Sequence, residues 1–155
     1  MQTEVINLAR ARRVKTLGDT GKPTLPTKLK GKKPIGHVSV PVEYSDAYAL
    51  QVRGDCLAPT IRDGDQIVCS PSVKLAKGMY VAISFKSDAE GKVKVLDLIP
   101  PPPHPDDEIR VMYRGRQTNP PAYYFIDPEK IDCIHAVVGV VRKGKYIALE
   151  ARRAS

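Results

Sequence analysis

The chain has 155 residues, 42% of them hydrophobic, with 14 prolines and no tryptophan. That is enough to bury one substantial core and too little for two, and no apolar stretch reaches the roughly 18–20 residues that span a bilayer. The formal charge of +8 is concentrated at one end: residues 1–34 hold nine Lys/Arg against Glu4 and Asp19, whereas residues 35–155 hold sixteen against fifteen.

Charges lie where a secretory signal would place its apolar stretch, so a cytoplasmic protein with no membrane segment is expected. The three cysteines, Cys56, Cys69 and Cys133, contain no CxxC pair and cannot all be paired. Reduced thiols are therefore expected, with no disulfide framework, no metal site and no cofactor.

In chain order, Thr3 to Lys15 sets Val5, Ile6, Leu8 and Val14 among basic residues, a spacing that predicts a short helix capped by Thr3. Gly18 to Pro34 is Gly, Pro, Thr and Lys with little to bury, which predicts an extended linker. Residues 1–34 thus read as a basic arm and residues 35–155 as the folded domain. Arg10, Arg12, Arg13, Lys28, Lys30, Lys32 and Lys33 are the candidate phosphate contacts, because clustered cations displace counterions from nucleic acid. The other reading of these charges is a solvated tail.

Beyond the arm, strands are predicted at His37–Val42, Tyr48–Arg53, Gln66–Ser70, Met79–Phe85 and Lys92–Ile99, several of them alternating apolar and polar residues. Four prolines and an acidic run after Ile99 predict an exposed loop. Strands resume at Ile109–Tyr113, Tyr123–Ile126 and Ile134–Val141, and Arg142-Lys143-Gly144-Lys145 predicts a hairpin into Tyr146–Leu149. Ala136–Val141 is apolar on both faces, so it is either central in a sheet or covered by a partner chain.

The densest cluster of turn-forming residues is Gly54-Asp55-Cys56-Leu57-Ala58-Pro59-Thr60-Ile61-Arg62-Asp63-Gly64-Asp65. Glycine supplies positive φ there and aspartate ties down local N–H groups, so the backbone turns twice and holds Cys56 at the lip of a cleft. Asp55, Gly64 and Asp65 read as turn formers. Cys69 and Cys133 read as buried apolar residues, and no role is assigned to the scattered histidines.

The stretch from Leu50 to Val68 resembles the signature of the LexA, UmuD and phage-repressor self-cleaving peptidases of the S24 family, with Cys56 where that family has a serine. Val93-Lys94-Val95-Leu96 is similar to the family's strand bearing a catalytic lysine. Asn119-Pro120 with Tyr123, and Val138-Gly139-Val140-Val141, resemble two further landmarks in the same order. The resemblance implies a mainly β, compact curved mixed β fold and a nucleophile/lysine dyad of Cys56 and Lys94. It also implies oxyanion support from the turn at Gly54, Asp55 and Leu57, a homodimer formed through the C-terminal strands, and a role in transcription, mobile-element or stress-response regulation.

A thiol beside an amine tends to form a thiolate–ammonium pair unless burial suppresses both charges. The cleavable Ala-Gly or Cys-Gly bond usual in that family is absent from this chain. Two function classes follow, a Cys56/Lys94 self-cleaving peptidase and a binding module that kept the fold without cleavage.

Overall fold

The computed structural model describes residues 3–5, 11–21, 34–87, 91–101, 106 and 111–149. Among them the chain is nearly all β, a mixed sheet that does not close into a barrel. The strands are β1 (Thr3–Val5), β2 (Ala11–Asp19), β3 (Gly36–Pro41), β4 (Tyr48–Gln51), β5 (Gln66–Ser70) and β6 (Tyr80–Phe85). They continue as β7 (Lys92–Leu98), β8 (Tyr113–Thr118), β9 (Pro121–Ile126), β10 (Ile131–Arg142) and β11 (Lys145–Leu149), with one 3-10 turn at Pro128–Lys130.

The sheet runs β3-β2-β4-β5-β10-β6-β7-β8-β9, while β11 pairs with both β10 and β1. All pairings are antiparallel except that of β2 with β4. The mainly β fold expected from the sequence is therefore present, and five of the predicted strands, from the His37 segment to the Lys92 segment, match observed ones to within two residues.

β10 is the hub. Its first half pairs with β6 and its second half with β5 and β11, with register shifts in both its β5 and β6 pairings where the strand bends. The run Ala136, Val137, Val138, Val140 and Val141 is buried within the single chain. Of the two expectations for this run, the central strand holds, and the run offers no apolar face to a partner. Val137 and Val140 join Leu17, Leu50, Ile67 and Val95 in one core cluster, and Val138 and Val141 join Val14, Val40 and Val68 in a second.

The N-terminal expectation needs correction. The described residues of Thr3–Lys15 are strand and not helix, with residues 6–10 outside the described ones: β1 pairs with β11, and β2 lies between β3 and β4 with Val14, Thr16 and Leu17 buried. Residues 11–21 therefore belong to the folded body and not to an arm, whereas Lys28, Lys30, Lys32, Lys33 and Arg10 lie outside the described residues. β-branched residues pack well on a pleated surface, and pairing with distant β3 outweighs a weak local helical spacing. Of the strand expected at Ile109–Tyr113, residues 109 and 110 lie outside the described residues, and the described strand is Tyr113–Thr118.

Because Val138 is buried in the central strand, Val138→Asp should unfold the protein and not yield a folded monomer. The expected loss is more than about 3 kcal/mol, set by an unpaired buried charge. Thermal melting followed by circular dichroism checks this; a folded variant of near-normal stability would show that Val138 is at a surface.

Candidate functional site

The turn between β4 and β5 is rooted in the core by Leu57 and Ile61, both essentially inaccessible, and Cys56 packs on the edge of the same cluster. Gly54 and Gly64 have φ of 88° and 87°, as two reversals of the chain require. The two limbs of the turn brace each other: Gly54 N–H donates to Asp63 Oδ1 at 2.7 Å, and Asp63 N–H donates to Asp55 Oδ1 at 2.9 Å. The base closes through Val52, whose N–H donates to Asp65 O and whose carbonyl accepts from Gly64 N–H.

Asp65 does more than form the turn. Its carboxylate is almost fully buried, accepts Arg62 N–H at 2.8 Å, and takes both Nε and Nη2 of Arg142 at 2.9 and 2.7 Å. Arg142, at the end of β10, also donates to Thr60 O at 3.1 Å. A forked guanidinium matches a carboxylate in two places at once, so this contact fixes orientation as well as charge.

From the other side the β8–β9 connection clasps the turn. Thr118 and Asn119 N–H both donate to Cys56 O at 3.0 Å, Thr118 Oγ1 donates to Ala58 O at 3.0 Å, and Asn119 Nδ2 donates to Asp55 O at 3.2 Å. The Ala58–Pro59 and Asn119–Pro120 peptides within this clasp are both cis. The Asn119-Pro120 motif thus acts on the main chain around Cys56.

Lys94 lies on β7, an alternating strand in which a lysine ordinarily faces solvent. Here it is only 6% exposed. Its Nζ stands 3.8 Å from Cys56 Sγ, donates to Gln117 Oε1 at 3.0 Å, and lies over the Tyr124 ring at 4.6 Å from the centroid. Gln117 is fixed in turn by donating Nε2 to Pro120 O at 3.0 Å. Gly115 makes room for the lysine stem, since a Cβ there would fall 3.1 Å from Lys94 Cβ and 3.3 Å from its Cγ.

Burial lowers the Lys94 pKa below the usual amine value and the nearby Lys92 pushes the same way, while the Cys56 sulfur opposes them. Cys56 and Lys94 share the wall of an open groove of about 340 Å³ with Thr20, Gly21, Arg53 and Val93. A half-exposed thiol next to a dehydrated amine is the arrangement that nucleophilic attack with proton transfer needs.

This geometry also sorts the supporting residues. Leu57 is an anchor in the core. Gly54, expected to support an oxyanion, has its N–H committed to Asp63, and the Asp55 carboxylate is engaged as a brace within the turn. Arg12 donates to Tyr44 O at 2.6 Å, while Arg13 is exposed. Nothing in the sequence marks Gln117, Thr118 or Arg142 as part of this site, and Tyr124 reads there only as a core or rim residue. Among the described residues no group of three or more His, Cys, Asp or Glu could hold a metal ion.

The model of the S24-like peptidases matches residues 19–101, more than half of the chain. The chain belongs to the S24-like peptidase family. The matched stretch holds both Cys56 and Lys94 and ends before β8, so the clasp from Thr118 and Asn119 and the Arg142 fork lie beyond it. No curated protein matches the chain. No helix among the described residues is long and apolar enough to cross a membrane.

Asp65→Ala should be the most costly change around the turn, destabilising by about 3–5 kcal/mol because it strands the partly buried Arg142 guanidinium. Arg142→Lys keeps the charge and loses the fork, so a smaller loss of about 1–2 kcal/mol is expected. Urea unfolding of the two variants measures the difference; no loss in Arg142→Lys would show that charge alone matters, and equal losses that the contact depends wholly on the fork.

Proposed function

We propose that this S24-like chain is a peptidase that cuts its own N-terminal segment, or that of another subunit, with Cys56 as nucleophile and Lys94 as proton acceptor and donor. The observation that carries the reading is the Lys94 amine, withdrawn from water and 3.8 Å from the Cys56 sulfur at the wall of an open groove. Thr20 and Gly21 line that groove, which favours the chain following β2 as substrate. Gly36–His37 and Gly31–Lys32 are poor substitutes by sequence for the family's Ala-Gly or Cys-Gly bond; the first is held within β3, and the second lies outside the described residues.

In this reading Lys94 takes the thiol proton and the Cys56 sulfur attacks the peptide carbonyl carbon. The developing oxyanion is met by main-chain N–H groups of the turn other than that of Gly54. Lys94 then gives the proton to the leaving amine, and the C–N bond breaks to leave a thioester on Cys56. Water, deprotonated by Lys94, attacks the thioester and releases the new carboxylate with the free thiol.

Lowering of the Lys94 pKa sets the sign of the pH dependence. Cleavage that needs the neutral amine is absent at low pH and rises as Lys94 loses its proton, beginning below the ordinary lysine range of about 10.4. Mass spectrometry of purified protein incubated at increasing pH should show a defined N-terminal fragment, and Cys56→Ala and Lys94→Met should show none. An intact chain at every pH would leave the second reading, a binding module that retained the fold without cleavage.

Regulation of transcription, mobile elements or a stress response is the setting this reading carries, with a homodimer through the C-terminal strands and nucleic acid held by basic N-terminal residues. The dimer must use a surface other than Ala136–Val141, which the chain itself covers. Of the cations named above, Arg13 is exposed, while Arg12 is engaged with Tyr44. Because β2 is part of the sheet, the test is charge removal and not truncation: changing Arg10, Arg13, Lys28, Lys30, Lys32 and Lys33 to Gln should weaken DNA binding and flatten its salt dependence. An unchanged salt slope would assign any DNA contact to other residues.

A further inference from the structure

The three thiols have different surroundings. Cys69 is fully buried and burial pushes its thiol up to about 12, so it stays protonated and out of reach of solutes. Cys133 is half-buried on β10, with its sulfur 3.8 Å from His135 Nδ1, and is not among the residues lining the groove. Cys56 is half-buried and lines the groove, with a lysine amine as its neighbour. Neither other thiol shares that groove, so a sulfenic acid formed on Cys56 has no sulfur lining the site to resolve it. Its available nucleophile is Lys94 Nζ, steered toward it by Gln117 and Tyr124.

We propose that hydrogen peroxide joins Cys56 and Lys94 through a sulfenamide, an S–N bond between Sγ and Nζ that external thiols reverse. In the first step the Cys56 thiolate attacks one peroxide oxygen and the O–O bond breaks. Sulfur is oxidised by two electrons to the sulfenic acid, and the departing hydroxide leaves as water. In the second step the Lys94 nitrogen lone pair attacks sulfur, the S–O bond breaks, and the hydroxide leaves as water with a proton from the amine. The sum is one thiol, one amine and one peroxide giving one S–N bond and two waters. Two equivalents of an added thiol return both side chains and form one external disulfide. The bond requires only the geometry; that it stops cleavage rests on the peptidase reading.

The experiment uses the full chain carrying Cys133→Ser, so that Cys56 is the reactive thiol. Brief treatment with hydrogen peroxide should lower the intact mass by about 2 Da, the loss of two hydrogens, and dithiothreitol should restore it. Peptide mapping should join the Cys56 peptide to the Lys94 peptide. Lys94→Met in the same background should instead keep a sulfenic acid that dimedone traps on the Cys56 peptide, a mark that methionine oxidation does not give. A gain of about 16 or 32 Da by the Lys94 protein without the loss of about 2 Da, or a link that maps to Lys92, would overturn the proposal. The parent measurement decides this even where Lys94→Met fails to fold. A cross-linked protein that still cleaves would uphold the bond and overturn both the inhibition and the peptidase reading.

Discussion

Withdrawing a lysine amine from water is costly whether it stays charged or gives up its proton, and the surroundings of Lys94 are arranged to offset that cost. Gln117 supplies an acceptor, Tyr124 the negative face of its ring, Cys56 a sulfur, and Gly115 the space for the stem to reach them. No buried side-chain nitrogen or oxygen among the described residues lacks a partner. A solvated Lys94 would ask for none of this, and Gly115, Gln117 and Tyr124 on β8 and β9 are explained by one residue on β7.

The second half of the site is held by the main chain. Carbonyls of Asp55, Cys56 and Ala58 are taken by the β8–β9 connection, and the far limb is pinned through Asp65 to Arg142 at the end of the hub strand. Cys56 is thus located by elements distant in sequence, and a turn with two glycines, which alone would be loose, has a definite place. Neither clasp touches the sulfur. Both act on where the sulfur is.

Strands β4 to β7 and the hub were legible because their inward residues are Val, Ile, Leu and Tyr at period two or in unbroken runs. β8 was not, because its buried positions are Gly115 and Gln117, chosen to fit Lys94 and carrying no apolar signal. β2 is not legible locally because its place depends on pairing with β3 across a long connection, which no local pattern encodes. The Cys56–Lys94 pair itself was legible from resemblance alone. Nothing in an alternating strand marks one lysine as buried, and Asp65 looks like any turn aspartate until Arg142 is placed beside it.

The position of β2 bears on what a cut chain would be. It is an interior strand, hydrogen-bonded to β3 on one side and β4 on the other, with Val14 and Leu17 in two different core clusters. A single break anywhere between Gly21 and Pro34 severs the covalent path without undoing a single one of those contacts. The product of such a cut would be a nicked particle held by its own sheet. Whatever precedes β2 would stay attached to the body after cleavage, so a response to the cut would have to come from freed chain ends and not from a departing fragment.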